Sequence, residues 1–235
     1  MWAVGTRSYG GVMLIVEELH LLLLRPDGRV EGAAGGYRRY GEIGAAIVDL
    51  AEHGRVRVGE DKRPRVDVVS AEPTGNPVLD AVLAGLAPMS GTRLQSIVTS
   101  SKLDPLDPVV ASLVAQGVLA HGERGFFGMG AERTPEADPG PELLLRARLA
   151  AVLAGSAAPT QADLTLLAIL QGLNVAHRVL HQEAGGLSAG QLRKRIIGLT
   201  SGSAAGDAVS SAVNTAMAGA MMAAMTPVIV AATIT

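Results

Sequence analysis

The apolar positions of this chain recur mainly at helical spacing. Ile43, Ala46, Ile47, Leu50 and Ala51 stand at i, i+3, i+4, i+7 and i+8, and Gly54 ends the run. Leu79, Val82, Leu83 and Leu86 repeat the pattern ahead of Pro88. Leu106, Val109, Val110 and Leu113 do so ahead of Gly117. Leu145, Leu149, Val152 and Leu153 predict a longer helix after the break at Pro139-Gly140-Pro141. Residues 164–173 are apolar nearly all round, the signature of a central helix. Ser188 is placed to cap a helix with Leu192, Ile196 and Leu199 on one side and Arg193, Lys194 and Arg195 elsewhere. Residues 12–24 are apolar except at Glu17, Glu18 and His20. Carboxylates are costly inside a bilayer, so this segment predicts a core helix rather than a span.

Period-two alternation is confined to short stretches. Residues 55–58 and Val66, Val68 and Val69 predict a hairpin around a loop at 59–64. Val118-Leu119 and Phe126-Phe127 predict a second hairpin, turning near 122–125. Each follows a helix, and Leu50-Ala51-Glu52-His53-Gly54-Arg55-Val56 loosely echoes Leu113-Val114-Ala115-Gln116-Gly117-Val118-Leu119. The expected fold is a mainly α, single-domain helical bundle with short β-hairpins.

Composition sharpens that picture. The chain has 235 residues, 48% hydrophobic and only 3% aromatic, so its core is built from Leu, Val, Ile and Ala. It has no cysteine, which excludes disulfides and thiol catalysis and fits a cytosolic setting. A net charge of −2 argues against bulk attraction to nucleic acid. The first nine residues lack the basic start and apolar stretch of a secretory signal. Residues 208–235 carry no formal side-chain charge but contain Asn214 and Pro227. They are expected to form a buried or self-associating helix, with an interfacial helix or a span as the other readings.

No set of side chains converges on catalysis. His177 and His181 have i, i+4 spacing, but the sequence between them lacks the general-base Glu of a zinc hydrolase. Glu17 and Glu18 are adjacent and do not share a helix face, so one is expected outside and the other at the core edge. No enzyme activity, metal or cofactor is therefore expected. Gly32, Gly35 and Gly36 form no dinucleotide fingerprint. They read as a flexible loop, or as a ligand-covering loop leading into Tyr37, Arg38, Arg39 and Tyr40. Two guanidiniums beside two tyrosines suit a phosphate-bearing headgroup, against the plainer reading of a solvated loop. Phe126 and Phe127 are the only phenylalanines, set between Gly125 and Gly128 and followed by Met129. Adjacent strand residues point to opposite faces. Either one ring packs inward and the other is covered, or the pair forms an apolar tip that inserts into a membrane or a protein groove. Arg124 and Arg133 flank it, as an anionic surface favours.

Three segments resemble the Golgi phosphoprotein 3 family. Leu14-Ile15-Val16-Glu17-Glu18-Leu19-His20-Leu21-Leu22-Leu23-Leu24 is similar to its opening LxEExLLL helix. The stretch from Gly44 ends in Ala51-Glu52-His53-Gly54-Arg55-Val56. Pro73-Thr74-Gly75-Asn76-Pro77-Val78-Leu79-Asp80 is the most specific, with Asn76 where the family usually has Asp. The resemblance runs through residues 12–200 as one helical domain, with residues 204–235 as an Ala- and Met-rich C-terminal helix. It implies a central bundle ringed by amphipathic helices. It also implies a non-enzymatic protein, peripheral to the cytoplasmic face of a membrane, that binds phosphatidylinositol 4-phosphate and acts as an adaptor for cytosolic tails of membrane proteins. The family's pocket Trp falls near Ala34, and its Arg positions fall near Ile43, Leu103 and Leu106, beside Asp104 and Asp107. Those pocket residues are absent, and Tyr37, Arg38 and Arg39 are the nearest substitutes. The family's membrane-contacting apolar residues correspond to Phe126, Phe127 and Met129. The Ala-, Gly- and Arg-rich composition suits an actinobacterial-type member, for which another anionic phospholipid is the expected ligand. A homo-oligomer is compatible with this reading. The alternative is a winged-helix-like transcriptional regulator, which would want a basic recognition helix; residues 106–116 contain no Lys or Arg.

Overall fold

The structure is a computed structural model and describes residues 13–25, 37–59, 63–120 and 134–201. Its first helix, α1 (Ile15–Leu23), is buried along its whole length. Its amino end is closed twice. Glu17 Oε2 accepts from Leu14 N at 3.0 Å, and Asp49 accepts from Ile15 N and Val16 N at 2.9 and 3.0 Å. Asp49 lies on α2 (Tyr37–Glu52), which runs antiparallel to α1 and is buried from residue 41 to residue 50.

The closeness of this helix pair depends on Gly41. A Cβ there would lie 2.9 Å from Leu173 Cδ1, 3.1 Å from Leu19 Cδ2 and 3.3 Å from Ile169 Cγ2. α1 and α2 therefore meet α7 (Gln161–Gly172) at a residue with no side chain. α7 is the central helix expected at 164–173, with residues 163–170 all buried. Its start is a capping box: Asp163 N donates to Thr160 Oγ1, and Thr160 N donates to Asp163 Oδ2.

The other helices of the described residues surround this centre: α3 (Pro77–Leu86), α4 (Leu94–Val98), α5 (Leu106–Ala115), α6 (Gly140–Ala154), α8 (Ala176–Val179) and α9 (Ala189–Ser201). α3 and α4 pack on α2, α5 and α6 on α1, and α9 on α7. The cap of α3 is local: Asn76 Oδ1 accepts from Val78 N and Leu79 N, and Asp80 Oδ1 accepts from Thr74 N and Oγ1. The segment that most resembles the family is thus a helix start. Ser188 and Gln191 cap α9 reciprocally, as expected.

α2 and α5 end in the same way. Gly54 and Gly117 take left-handed φ values of 65° and 76°. Arg55 N then bonds Leu50 O, and Val118 N bonds Leu113 O, each at 2.9 Å. The sequence echo is thus a repeated helix stop. After the first stop come β1 (Val56–Val58) and β2 (Arg65–Val68), antiparallel with Val56 opposite Val68. β3 (Thr92–Arg93) adds to β2, giving a three-stranded sheet where the sequence predicted a hairpin alone.

After the second stop, short contacts join the chain on either side of residues 121–133. Leu119 bridges to Glu136, and Ala120 N donates to Pro135 O at 2.9 Å; the predicted partner strand at Phe126-Phe127 and the turn near 122–125 lie outside the described residues. Two further corrections follow. Residues 37–40 are not a loop but the first turn of α2. Glu17 and Glu18 are both buried. Ser112 Oγ and Gln116 Nε2 donate to Glu17 at 2.6 and 2.8 Å, and Arg148 donates to Glu18 at 2.8 Å, so each carboxylate is satisfied from another helix. No helix among the described residues is long and apolar enough to cross a membrane.

Candidate functional site

The first turn of α2 holds both candidate cations, Arg38 buried and Arg39 half-buried. Arg38 and Glu42 are one turn apart and hydrogen-bonded on the inner side of the helix. The other Glu42 oxygen meets His20 Nδ1 at 2.8 Å. Toward solvent, Arg38 grips Asp104 with both terminal nitrogens, one on each carboxylate oxygen, at 2.9 Å each. His20, Glu42, Arg38 and Asp104 thus form a chain from core to surface. The side chains of His20 and Glu42 are 0% exposed, whereas that of Asp104 is 43% exposed. Asp104 Oδ1 also accepts from Leu106 N at 3.1 Å, holding the start of α5.

The charges reinforce one another. Burial works against the Arg38 cation, but hydrogen bonds and charges from Asp104 and Glu42 outweigh it and raise its pKa. Burial likewise opposes the Asp104 anion, and Arg38 with the Leu106 N–H prevails, lowering its pKa. Arg39 also contributes to that lowering.

Arg39 has a different environment. It is half-buried, and its Cζ lies 5.7 Å from the centre of the Tyr40 ring. Among the described residues it makes no ion pair, and its buried Nε has no hydrogen-bond partner. The first turn of α2 contains no acidic residue. Positive side chains there add to the helix's own positive end, the reverse of the usual preference and an arrangement that draws anions. Lys102 is exposed two residues from Asp104.

Of the predicted site residues, Tyr37 opens α2, Arg38 is committed to two carboxylates, and Arg39 reaches the surface. Phe126, Phe127 and Met129 lie outside the described residues. The neck that leads to them is fixed: Ala137 N and Asp138 N both donate to Val118 O. Beside it, burial and the neighbouring carboxylates of Glu142 and Asp138 push Glu136 up to about 7. Leu143 and Leu144, in the first turns of α6, are 62% and 72% exposed. Ile43 and Leu103 are core residues.

Sequence reasoning missed Asp104 as the partner of Arg38. Its available signal was the Arg38–Glu42 spacing, which turns Arg38 inward rather than into a solvated loop. His177 and His181 lie edge to face with ring centroids 6.2 Å apart, and His177 Nε2 sits 3.3 Å from Leu187 O. Among the described residues no group of three or more potential ligands could hold a metal ion.

The family model described as Golgi phosphoprotein 3 (GPP34) matches residues 15–218, most of the chain. None of the curated proteins matches it.

Proposed function

The chain belongs to the Golgi phosphoprotein 3 family, and from that premise we propose a non-enzymatic peripheral membrane protein that binds anionic phospholipid at the first turn of α2. The observation that carries this reading is the pairing of Arg38 and Arg39 in a helical turn with no acidic residue, Arg39 being without an ion pair among the described residues. A phosphate-bearing headgroup supplies the partner that Arg39 lacks. The apolar side chains at Ile43 and Leu103 make this a different pocket from the family's, so the reading rests on phosphate chemistry rather than on a particular phosphoinositide.

Phe126, Phe127 and Met129 supply insertion in this reading. Burying two rings at ~25 cal/mol per Å2 contributes several kcal/mol. Each basic contact with an anionic surface adds about 1 kcal/mol. Together they suit reversible attachment to the cytoplasmic face of a membrane. An adaptor role toward cytosolic tails of membrane proteins is the natural use of such attachment.

Vesicle flotation across a panel of headgroups tests this. The Phe126→Ser, Phe127→Ser double variant is expected to keep its melting temperature within a few degrees and to lose association several-fold. A collapse in melting temperature would make the rings structural. Intact folding with intact binding would remove them from the membrane contact.

A further inference from the structure

Arg38 is held by two carboxylates of opposite character. Glu42 is enclosed and fixed from behind by His20. Asp104 sits on the segment between α4 and α5 with its side chain 43% exposed. Breaking the inner pair would strand buried charges. Breaking the outer pair returns Asp104 to water, while Arg38, whose side chain is 9% exposed, keeps Glu42 as a partner. The outer pair is also a two-point fork, two nitrogens on two oxygens at 2.9 Å each. Two oxygens of a phosphate fit the same fork. The charge of Arg39 also favours the Asp104 anion.

We propose that Asp104 is an internal stand-in for the ligand, occupying the Arg38 fork in the unbound protein until a phosphate monoester displaces it. This rests on the reading that the first turn of α2 receives an anionic headgroup, and it adds the regulation of that site. Arg38 stays in place during the exchange because Glu42 holds it. Leu103 keeps the adjoining backbone anchored: it is a core residue whose Cδ2 fills the space beside Gly85. The exchange therefore requires only that the Asp104 side chain turn outward, where it can still accept from Leu106 N. Unbound protein then carries a built-in competitor that weakens adsorption to weakly charged surfaces. A phosphate monoester, with more charge than a carboxylate and a second guanidinium at hand, overcomes it.

The test uses the full chain and phosphatidylcholine vesicles with or without phosphatidic acid, which bears a phosphate monoester. Asp104→Asn keeps the side chain's shape and removes its charge. It is expected to raise affinity for the phosphatidic acid vesicles about three- to tenfold. Asp107→Asn removes an equal charge from an exposed residue three positions on and is expected to change affinity less than about twofold. Adding Arg38→Gln to Asp104→Asn should abolish the gain. Equal gains from Asp104→Asn and Asp107→Asn would reduce the effect to bulk charge and overturn the proposal. Weaker binding by a folded Asp104→Asn would do the same. Inorganic phosphate separates the sources: if it displaces the protein from vesicles at millimolar concentration, the fork's ligand is the free ion, and if binding withstands it, the ligand is the lipid.

Should asparagine unfold the protein, the Arg38 guanidinium 15N resonances of wild type can be followed during phosphatidic acid titration. They should shift as Asp104 leaves, and resonances unmoved at saturation would overturn the exchange. Failure of wild type and Asp104→Asn alike to bind any anionic vesicle would instead overturn the headgroup reading itself.

Discussion

The helix pair α1 and α2 has two ends that treat charge in opposite ways. At the end where α1 begins, Asp49 is spent on two backbone N–H groups, and Glu17 and Glu18 are satisfied by Ser112, Gln116 and Arg148. Every one of those carboxylates is buried. At the end where α2 begins, Arg38 has one enclosed partner and one exposed partner, and Arg39 has no ion pair among the described residues. The same two helices therefore carry a closed end, where charge organises the fold, and an open end, where charge faces outward. Buried polarity alone does not mark a functional site.

The largest effect is expected midway between the ends. Glu42→Ala leaves both His20 and Arg38 without their enclosed partner and should cost about 3–5 kcal/mol in urea unfolding. A loss below about 1 kcal/mol would mean that the inner half of Arg38 is not fixed, and the distinction between its two partners would fail.

The closed end should report itself through pH. Burial raises Asp49 to about 7, against the hydrogen bonds from Ile15 and Val16 that favour its charge. Its unfolded value is near 4. The folded state therefore binds more protons between those values, and stability falls as pH rises through 7. Glu18, also raised by burial, acts in the same direction. We expect the protein to be about 2 kcal/mol less stable at pH 8 than at pH 5. Asp49→Asn should flatten much of that slope while keeping a carbonyl for one N–H. A slope unchanged in Asp49→Asn would assign the pH dependence elsewhere.

The open end should matter least to stability. Arg39→Ala is expected to change unfolding by less than about 0.5 kcal/mol and to weaken binding to anionic vesicles several-fold. A large stability loss would move Arg39 into the class of Arg148, a cation that serves the fold.

What could be read from the sequence follows the range of each interaction. Residues 164–173 announced α7 because an all-apolar helix has only one place to go. The α3 cap was within reach because Thr74, Asn76 and Asp80 act on their own neighbours. Glu17 and Glu18 were assigned half correctly. Their partners lie on α5 and α6, and spacing along α1 says nothing about them. The start of α2 was obscured by Gly32, Gly35 and Gly36, which read as loop. β3 and α4, of two and five residues, are too short to show a period. At the candidate site, Arg38 and Arg39 stood out as cations. The fork to Asp104 spans 66 positions and is visible only in the fold.

The most direct test of the open end is flotation of wild type and Arg39→Ala with neutral phosphatidylcholine vesicles and with phosphatidic acid vesicles, at low and high salt. The account predicts that wild type floats with the anionic vesicles far more than with the neutral ones, that salt lowers this, and that Arg39→Ala loses most of the difference. Equal flotation with both vesicle types, or a difference that survives Arg39→Ala intact, would contradict it.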